Sequence, residues 1–239
     1  MRLSVIGCGY LGAVHAAAMA HIGHDVIGVD VDAAKIEVLS RGDAPFFEPR
    51  LAEMVQAGIA NGNLRFTNDI SDIRGASVHF VGVGTPQRAD GYAADLTYID
   101  AAFHALVPHL LPGDIVAGKS TVPVGTASRL SPAVSSAGAT LVWNPEFLRE
   151  GWAVQDTIEP DRLVVGVPPD AAGGGAAGGV GGGFYPAAAG GKAFLLAGYA
   201  AAGAGKGAAK ALLPPKNFFI NPHAARAGGT RGSVDHAAD

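Results

Sequence analysis

Six residues near the start constrain this chain more than any other feature: Gly7-Cys8-Gly9-Tyr10-Leu11-Gly12. They separate a short apolar run, residues 3–6, from an Ala-rich stretch over 11–22 that closes at Gly23. The first reads as a buried strand and the second as a helix, so the glycines form a strand-to-helix turn. Each glycine has its own task there. Gly7 permits the tight turn, Gly9 lets the backbone approach a bound group, and Gly12 lets the helix lie close to the strand. The exposed N–H groups and partial positive charge of the helix N-terminus suit phosphates.

Glycine spacing alone is a weak signal, but a second feature agrees with it. Asp30 closes the next apolar run, residues 26–29. A carboxylate at that place accepts hydrogen bonds from ribose hydroxyls and repels a 2′-phosphate, and no arginine stands beside it in sequence. The expected cofactor is therefore NAD rather than NADP. The bland alternative for Asp30, a helix cap, falls better on Asp32, just ahead of a helix through Lys35 and Leu39.

The rest of the first 167 residues alternates strands and helices. Further helices are expected over 49–56, 98–111 and 125–136, with a short helical turn at 69–73. Strands are expected over 64–66, 78–83, 115–117 and 141–143. This order predicts a doubly wound, mostly parallel α/β sheet of Rossmann type. Its chemistry belongs at the carboxyl ends of the strands, where Asp30, Thr85, Thr121, Glu146 and Glu150 fall.

Beyond residue 167 the chain changes character. Residues 171–210 contain 29 Gly or Ala in 40, and no Asp or Glu occurs between Asp170 and Asp235. The first 170 residues carry a net charge of -8 and the remainder +4. A segment so poor in large apolar side chains is expected to be a poorly ordered tail over 168–239. For the whole chain, 49% hydrophobic and 16% charged residues fit a filled core. A net charge of -4 gives no support for a nucleic-acid partner. No apolar run is long enough to suggest a membrane span, no signal peptide is evident, and one cysteine excludes an internal disulfide, so a cytoplasmic protein is expected. No metal site is expected.

Three further groups deserve weighing. Cys8 lies inside the glycine loop and reads as a small filler, because a thiolate there would face a pyrophosphate. Glu146 and Glu150 would share one face if their segment were helical, which suits proton transfer. A solvated helix face capped by Asn144 explains them equally well. Lys119-Ser120-Thr121 places two hydroxyls after a strand, and either a binding role or a simple cap accounts for it.

Taken in order, the segments resemble the UDP-glucose 6-dehydrogenase family. They are the glycine loop, Glu48-Pro49, Thr67-Asn68-Asp69, Gly84-Thr85-Pro86, Ala94-Asp95-Leu96-Thr97-Tyr98, Lys119-Ser120-Thr121-Val122-Pro123-Val124-Gly125-Thr126 and Asn144-Pro145-Glu146-Phe147-Leu148-Arg149-Glu150-Gly151. The resemblance covers residues 1–167. It implies oxidation of the C6 alcohol of UDP-glucose to a carboxylate with two NAD per turnover, through a thioester on a cysteine. It further implies that Tyr10, Leu11, Asp30, Lys35, Thr85, Thr121 and Glu150 contact NAD, together with Gly7, Gly9 and Gly12. Thr121 and Glu146 would handle the catalytic water. Glu146, Phe147, Leu148, Arg149 and Glu150 would line the substrate.

The likeness decays in the second part. Lys206 resembles the family's oxyanion-stabilising lysine, which also meets the substrate, and residues 206–221 resemble part of its inter-domain helix. Pro214 and Pro215 would break or kink that helix, against the homodimer the family forms. The family's cysteine-bearing segment finds no counterpart in these residues, so the chain is expected to be inactive as it stands. The composition suggests a coding sequence disturbed by frame errors and then truncated. Two alternatives stay open: a non-catalytic NAD-binding module, and a related enzyme for GDP-mannose or a UDP-N-acetyl-hexosamine.

Overall fold

The computed structural model describes residues 1–145, 148–160, 162–168, 193–200 and 202. In chain order the elements are β1 (Arg2–Ile6), α1 (Tyr10–His21), β2 (Asp25–Val29), α2 (Ala33–Ser40), α3 (Leu51–Ala60), β3 (Leu64–Thr67) and β4 (Val78–Val81). They continue with α4 (Thr97–Leu106), β5 (Ile115–Gly118), α5 (Thr126–Ser136), β6 (Thr140–Trp143), α6 (Ala153–Ile158), β7 (Arg162–Val167) and β8 (Ala193–Gly198). The strands form one sheet in the order β3-β2-β1-β4-β5-β6-β7-β8. Strands β3 to β6 run parallel, β7 pairs antiparallel with β6 at Trp143 and Gly166, and β8 runs parallel to β7. This is the doubly wound, mostly parallel sheet expected from the alternation of patterns.

Side chains alternate across each strand, so one sheet has two apolar faces. Leu3, Val5, Val26, Phe80, Ala117 and Val142 face the layer that contains α1, α3 and α6. Ile6, Ile27, Val29, Val81, Val116 and Leu141 face the layer with α4 and α5. Helix α1 is buried almost all round, which its run of Ala16, Ala17 and Ala18 permits. Small side chains let it lie close under the sheet between its neighbours. The strand order reverses between β1 and β4, and a crevice opens at the carboxyl ends of strands at such a point.

Three expectations change. The helix expected over 98–111 ends at Leu106 and gives way to a 3-10 turn, Val107–His109, because Pro108 offers no N–H and disfavours α geometry before it. Leu148 to Glu150 are not helical and α6 starts only at Ala153, so a shared helical face for two carboxylates does not arise. Asn144 caps no helix; its amide bridges β5 and β7 instead. Finally, β8 lies within the stretch expected to be a tail. Averaged over forty Gly- and Ala-rich residues its pattern disappears, yet six residues suffice to complete a parallel ladder with β7. Residues 206–221, with Lys206, lie outside the described residues, as do Glu146 and Phe147. Among the described residues no helix is long and apolar enough to cross a membrane, and no group of three or more His, Cys, Asp and Glu side chains could hold a metal ion.

Candidate functional site

The glycine loop turns at the sheet's reversal point. Gly7 has φ +90°, and its N–H donates to the Val29 carbonyl at 2.8 Å. A Cβ on Gly7 would lie 2.7 Å from Val83 Cγ1, so the loops after β1 and β4 touch there. A Cβ on Gly12 would stand 1.8 Å from the Gly7 carbonyl oxygen, so α1 and the loop require glycine for their own packing. Gly9 differs. It precedes α1 in extended backbone, and a Cβ there would meet no protein atom within 4 Å. Nothing in the protein demands glycine at this position; a group seated on the first turn of α1 would. No acidic side chain stands in that turn to oppose an anion. These features fit a pyrophosphate.

Asp30 extends the site along β2. It is 8% exposed. Its Oδ2 accepts from the Cys8 N–H and from Lys35 Nζ, both at 2.8 Å, and its Oδ1 accepts from the Asp32 N–H at 3.0 Å. The carboxylate is therefore aimed by two backbone amides and balanced by one lysine. Asp32 is the helix cap, accepting from Ala34 and Lys35 amides at 3.0 and 3.2 Å, which frees Asp30 from that task. Cys8 is fully buried, with its Sγ 3.5 Å from the Val29 carbonyl. Burial, followed by the Asp30 charge, pushes its thiol far above the usual range, so it is no nucleophile.

The neighbouring loops close the far side. Thr85 Oγ1 donates to the Thr121 carbonyl at 2.8 Å, and Ser120 Oγ donates to the Val83 carbonyl at 2.6 Å. The hydroxyls after β4 and β5 thus stitch two loops at the crevice. Beneath them Lys119, 4% exposed, donates to Asn144 Oδ1 at 3.0 Å, and Asn144 Nδ2 donates to the Val164 carbonyl at 2.9 Å. That pair fixes the start of the segment that carries Glu146.

Of the segment's described residues, Arg149 is held rather than free. Its guanidinium grips Asp156 at 3.0 and 2.7 Å and lies 5.6 Å over the Trp152 ring. The hydrogen bonds from Arg149 hold the Asp156 carboxyl below its ordinary range. Glu150 is exposed in a turn. The segment reaches the glycine loop through Glu48, a residue the sequence marks only by the pair Glu48-Pro49. Buried to 5% exposure, Glu48 accepts from the Tyr10 hydroxyl and from the Gly151, Ala153 and Val154 amides. A cleft of about 300 Å³ adjoins this link, lined by Glu48, Gly151 and Val154 together with Arg50 and Trp152.

Residues 1–176 match the NAD-binding domain model of the UDP-glucose/GDP-mannose dehydrogenase family. The chain belongs to that family. Its cofactor is NAD. A UDP-glucose 6-dehydrogenase of Rhizobium meliloti is 44% identical over 172 residues, which are 70% of this chain and 39% of that protein. The UDP-glucose 6-dehydrogenase TuaD of Bacillus subtilis is 42% identical over 171 residues, or 69% of this chain and 37% of its own length. The chain thus spans about two fifths of these relatives. Among solved structures, a GDP-mannose dehydrogenase from Pseudomonas aeruginosa superposes with a TM-score of 0.87 at 27% identity, covering 100% of this chain and 56% of that one. A UDP-glucose dehydrogenase from Pyrobaculum islandicum gives 0.79 at 32% identity, covering 95% and 52%. The family likeness expected from the motifs holds.

Proposed function

We propose that these residues supply the cofactor half of a nucleotide-sugar 6-dehydrogenase acting on UDP-glucose. The supporting observation is the combination at the glycine loop: Gly9, which only a bound group requires to be glycine, beside the buried, amide-aimed Asp30. The relatives at 44% and 42% identity are UDP-glucose 6-dehydrogenases by name, which favours that sugar over GDP-mannose or a UDP-N-acetyl-hexosamine.

In this reading Gly7, Gly9 and Gly12 shape the pyrophosphate cradle, and the first-turn amides of Tyr10 and Leu11 donate to it. Asp30 accepts from the ribose hydroxyls, with Lys35 balancing its charge. Thr85 and Thr121 border the nicotinamide end, and Glu150 stands where cofactor and sugar meet. Phe147, Leu148 and Arg149 line the sugar. Thr121 and Glu146 hold and activate water, and Lys206 offsets oxyanion charge. When bound, NAD takes up the hydride released from C6 of the sugar.

These 239 residues contain one thiol, Cys8, which is buried and held protonated. They therefore bring no nucleophile for a thioester, and by themselves are expected to bind NAD without completing the oxidation. Calorimetry with NAD and NADP, followed by NADH absorbance with UDP-glucose present, tests both points. Binding of NAD in preference to NADP without sustained turnover is expected. Failure to bind NAD sinks the functional reading, and two NADH per UDP-glucose sinks the claim of incompetence.

A further inference from the structure

Glu48 joins two parts of the molecule that are far apart in sequence. Tyr10 opens α1 inside the glycine loop, while Gly151 closes the segment Leu148-Arg149-Glu150 and leads into α6. Both meet on one carboxylate. Glu48 Oε2 receives the Tyr10 hydroxyl and, at 2.9 Å, the Gly151 amide. Its Oε1 receives the Ala153 amide at 2.9 Å and that of Val154 at 3.5 Å. All four partners donate, and an ionised carboxylate is the side chain that only accepts. Burial strengthens such charge-assisted bonds and makes their loss costly. The Tyr10 ring is further fixed against Phe46, with centroids 5.0 Å apart. Burial and the hydrogen bond to Glu48 push the Tyr10 hydroxyl up to about 12, so it stays a donor at any ordinary pH.

We infer that Glu48 is a positioning residue through which the cofactor loop sets the conformation of the 148–154 segment, so that filling one site orders the other. This rests on the proposed roles of the glycine loop and of Leu148 to Glu150. Glu48 touches neither cofactor nor sugar in that assignment. It acts through Tyr10 on one side and three backbone amides on the other. Because coupling is reciprocal, whatever Glu48 transmits to the segment also appears in NAD affinity.

Two substitutions separate the arms. Glu48→Gln keeps size but turns an NH2 group towards at least one backbone N–H. Tyr10→Phe removes the cofactor-side bond alone and leaves the segment's amides on Glu48. The readouts are hydrogen exchange of the Gly151, Ala153 and Val154 amides, and iodide quenching of Trp152, which is 61% exposed whereas Trp143 is buried. In the wild-type protein, NAD is expected to slow exchange of these amides and to reduce quenching. Glu48→Gln is expected to speed their exchange at least about tenfold without NAD and to abolish the NAD response. Tyr10→Phe is expected to leave NAD-free exchange within about twofold of wild type, yet to lose most of the response and weaken NAD binding about fivefold or more.

Wild-type exchange and an intact NAD response in Glu48→Gln overturn the inference. So does a Tyr10→Phe protein whose segment still responds to NAD as the wild type does, and this second variant decides the matter if Glu48→Gln does not fold. A wild-type protein that binds no NAD instead defeats the functional reading, whatever the NAD-free exchange shows.

Discussion

At the scale of single residues, the three glycines of the loop separate into two kinds. Gly12 serves the fold, because its α-hydrogen sits where a Cβ would collide with the Gly7 carbonyl. Gly12→Ala is expected to lower stability by about 1–3 kcal/mol, visible as a drop in thermal midpoint. At Gly9 a Cβ would meet no protein atom within 4 Å, and in the proposed function that space belongs to the ligand. Gly9→Ala is expected to leave the midpoint unchanged or slightly raised, since alanine costs the unfolded chain freedom. Its NAD affinity is expected to fall about tenfold or more. Equal loss of stability in both variants would refute this division. Spacing revealed all three glycines, but only the surroundings sort them, because the sequence does not say which Cβ would meet protein and which would meet open space. Cys8 follows the same logic. Its place in the loop suggests a filler, and burial beside Asp30 supplies the reason: the thiolate is disfavoured. A thiol reagent at neutral pH is expected to leave native Cys8 unmodified and to label it only after unfolding, as mass spectrometry would record.

At the scale of elements, the strands from β1 to β6 were legible because each is short, holds mostly apolar residues and ends at or before a glycine or polar residue, even where Arg65 interrupts β3 and His79 interrupts β4. The edge of the sheet was not. Strand β7 has no helix pattern on both sides to announce it, and β8 hides within a biased composition. What secures that edge is tertiary. The Tyr199 hydroxyl donates to the Leu141 carbonyl at 2.6 Å, and Tyr199 itself is buried against the α5 layer. Ala202 packs on Gly166, where a Cβ would stand 2.7 Å from the Ala202 methyl carbon. Tyr199→Phe leaves a buried carbonyl without its donor and is expected to cost about 1 kcal/mol. A protein ending at Pro168 leaves β7 as an unpaired apolar edge, and such edges seek partners. It is expected to melt earlier and to self-associate in gel filtration, whereas unaltered stability and elution would show that β8 contributes nothing to the edge. The Lys119–Asn144 bond belongs to this scale too. Neither residue stood out beyond its motif, because their contact spans 25 positions and depends on β5 and β6 lying side by side.

At the scale of the whole molecule, the two faces of the sheet each bury a histidine. His15 on α1 lies edge-on to Phe80 with centroids 4.3 Å apart, and His79 of β4 contacts Ser4 Oγ at 2.7 Å and Asp114 at 3.3 Å on the opposite face. Desolvation lowers the pKa of both, of His15 well below 6.5. The native state therefore keeps them neutral while the unfolded chain takes up protons near pH 6.5. Their contribution is fully present above that pH and is lost as pH falls below it, at up to about 1.4 kcal/mol per unit for each histidine. Midpoints measured from pH 7.5 to 5 are expected to fall, and His15→Leu to flatten the slope; an unchanged slope would contradict the assignment. What the sequence determined by itself was the alternation that makes a parallel sheet, the glycine loop and Asp30 at its carboxyl edge, and from the order of motifs the family. These are local signals, carried by residues within one turn or one strand of each other. What only the tertiary structure decided was which distant contacts hold these parts together: Glu48 reaching Tyr10 and Gly151, Lys119 reaching Asn144, and β8 pairing with β7. Such contacts join residues tens of positions apart, and a carboxylate's burial and donors come into being only when the chain has packed around it.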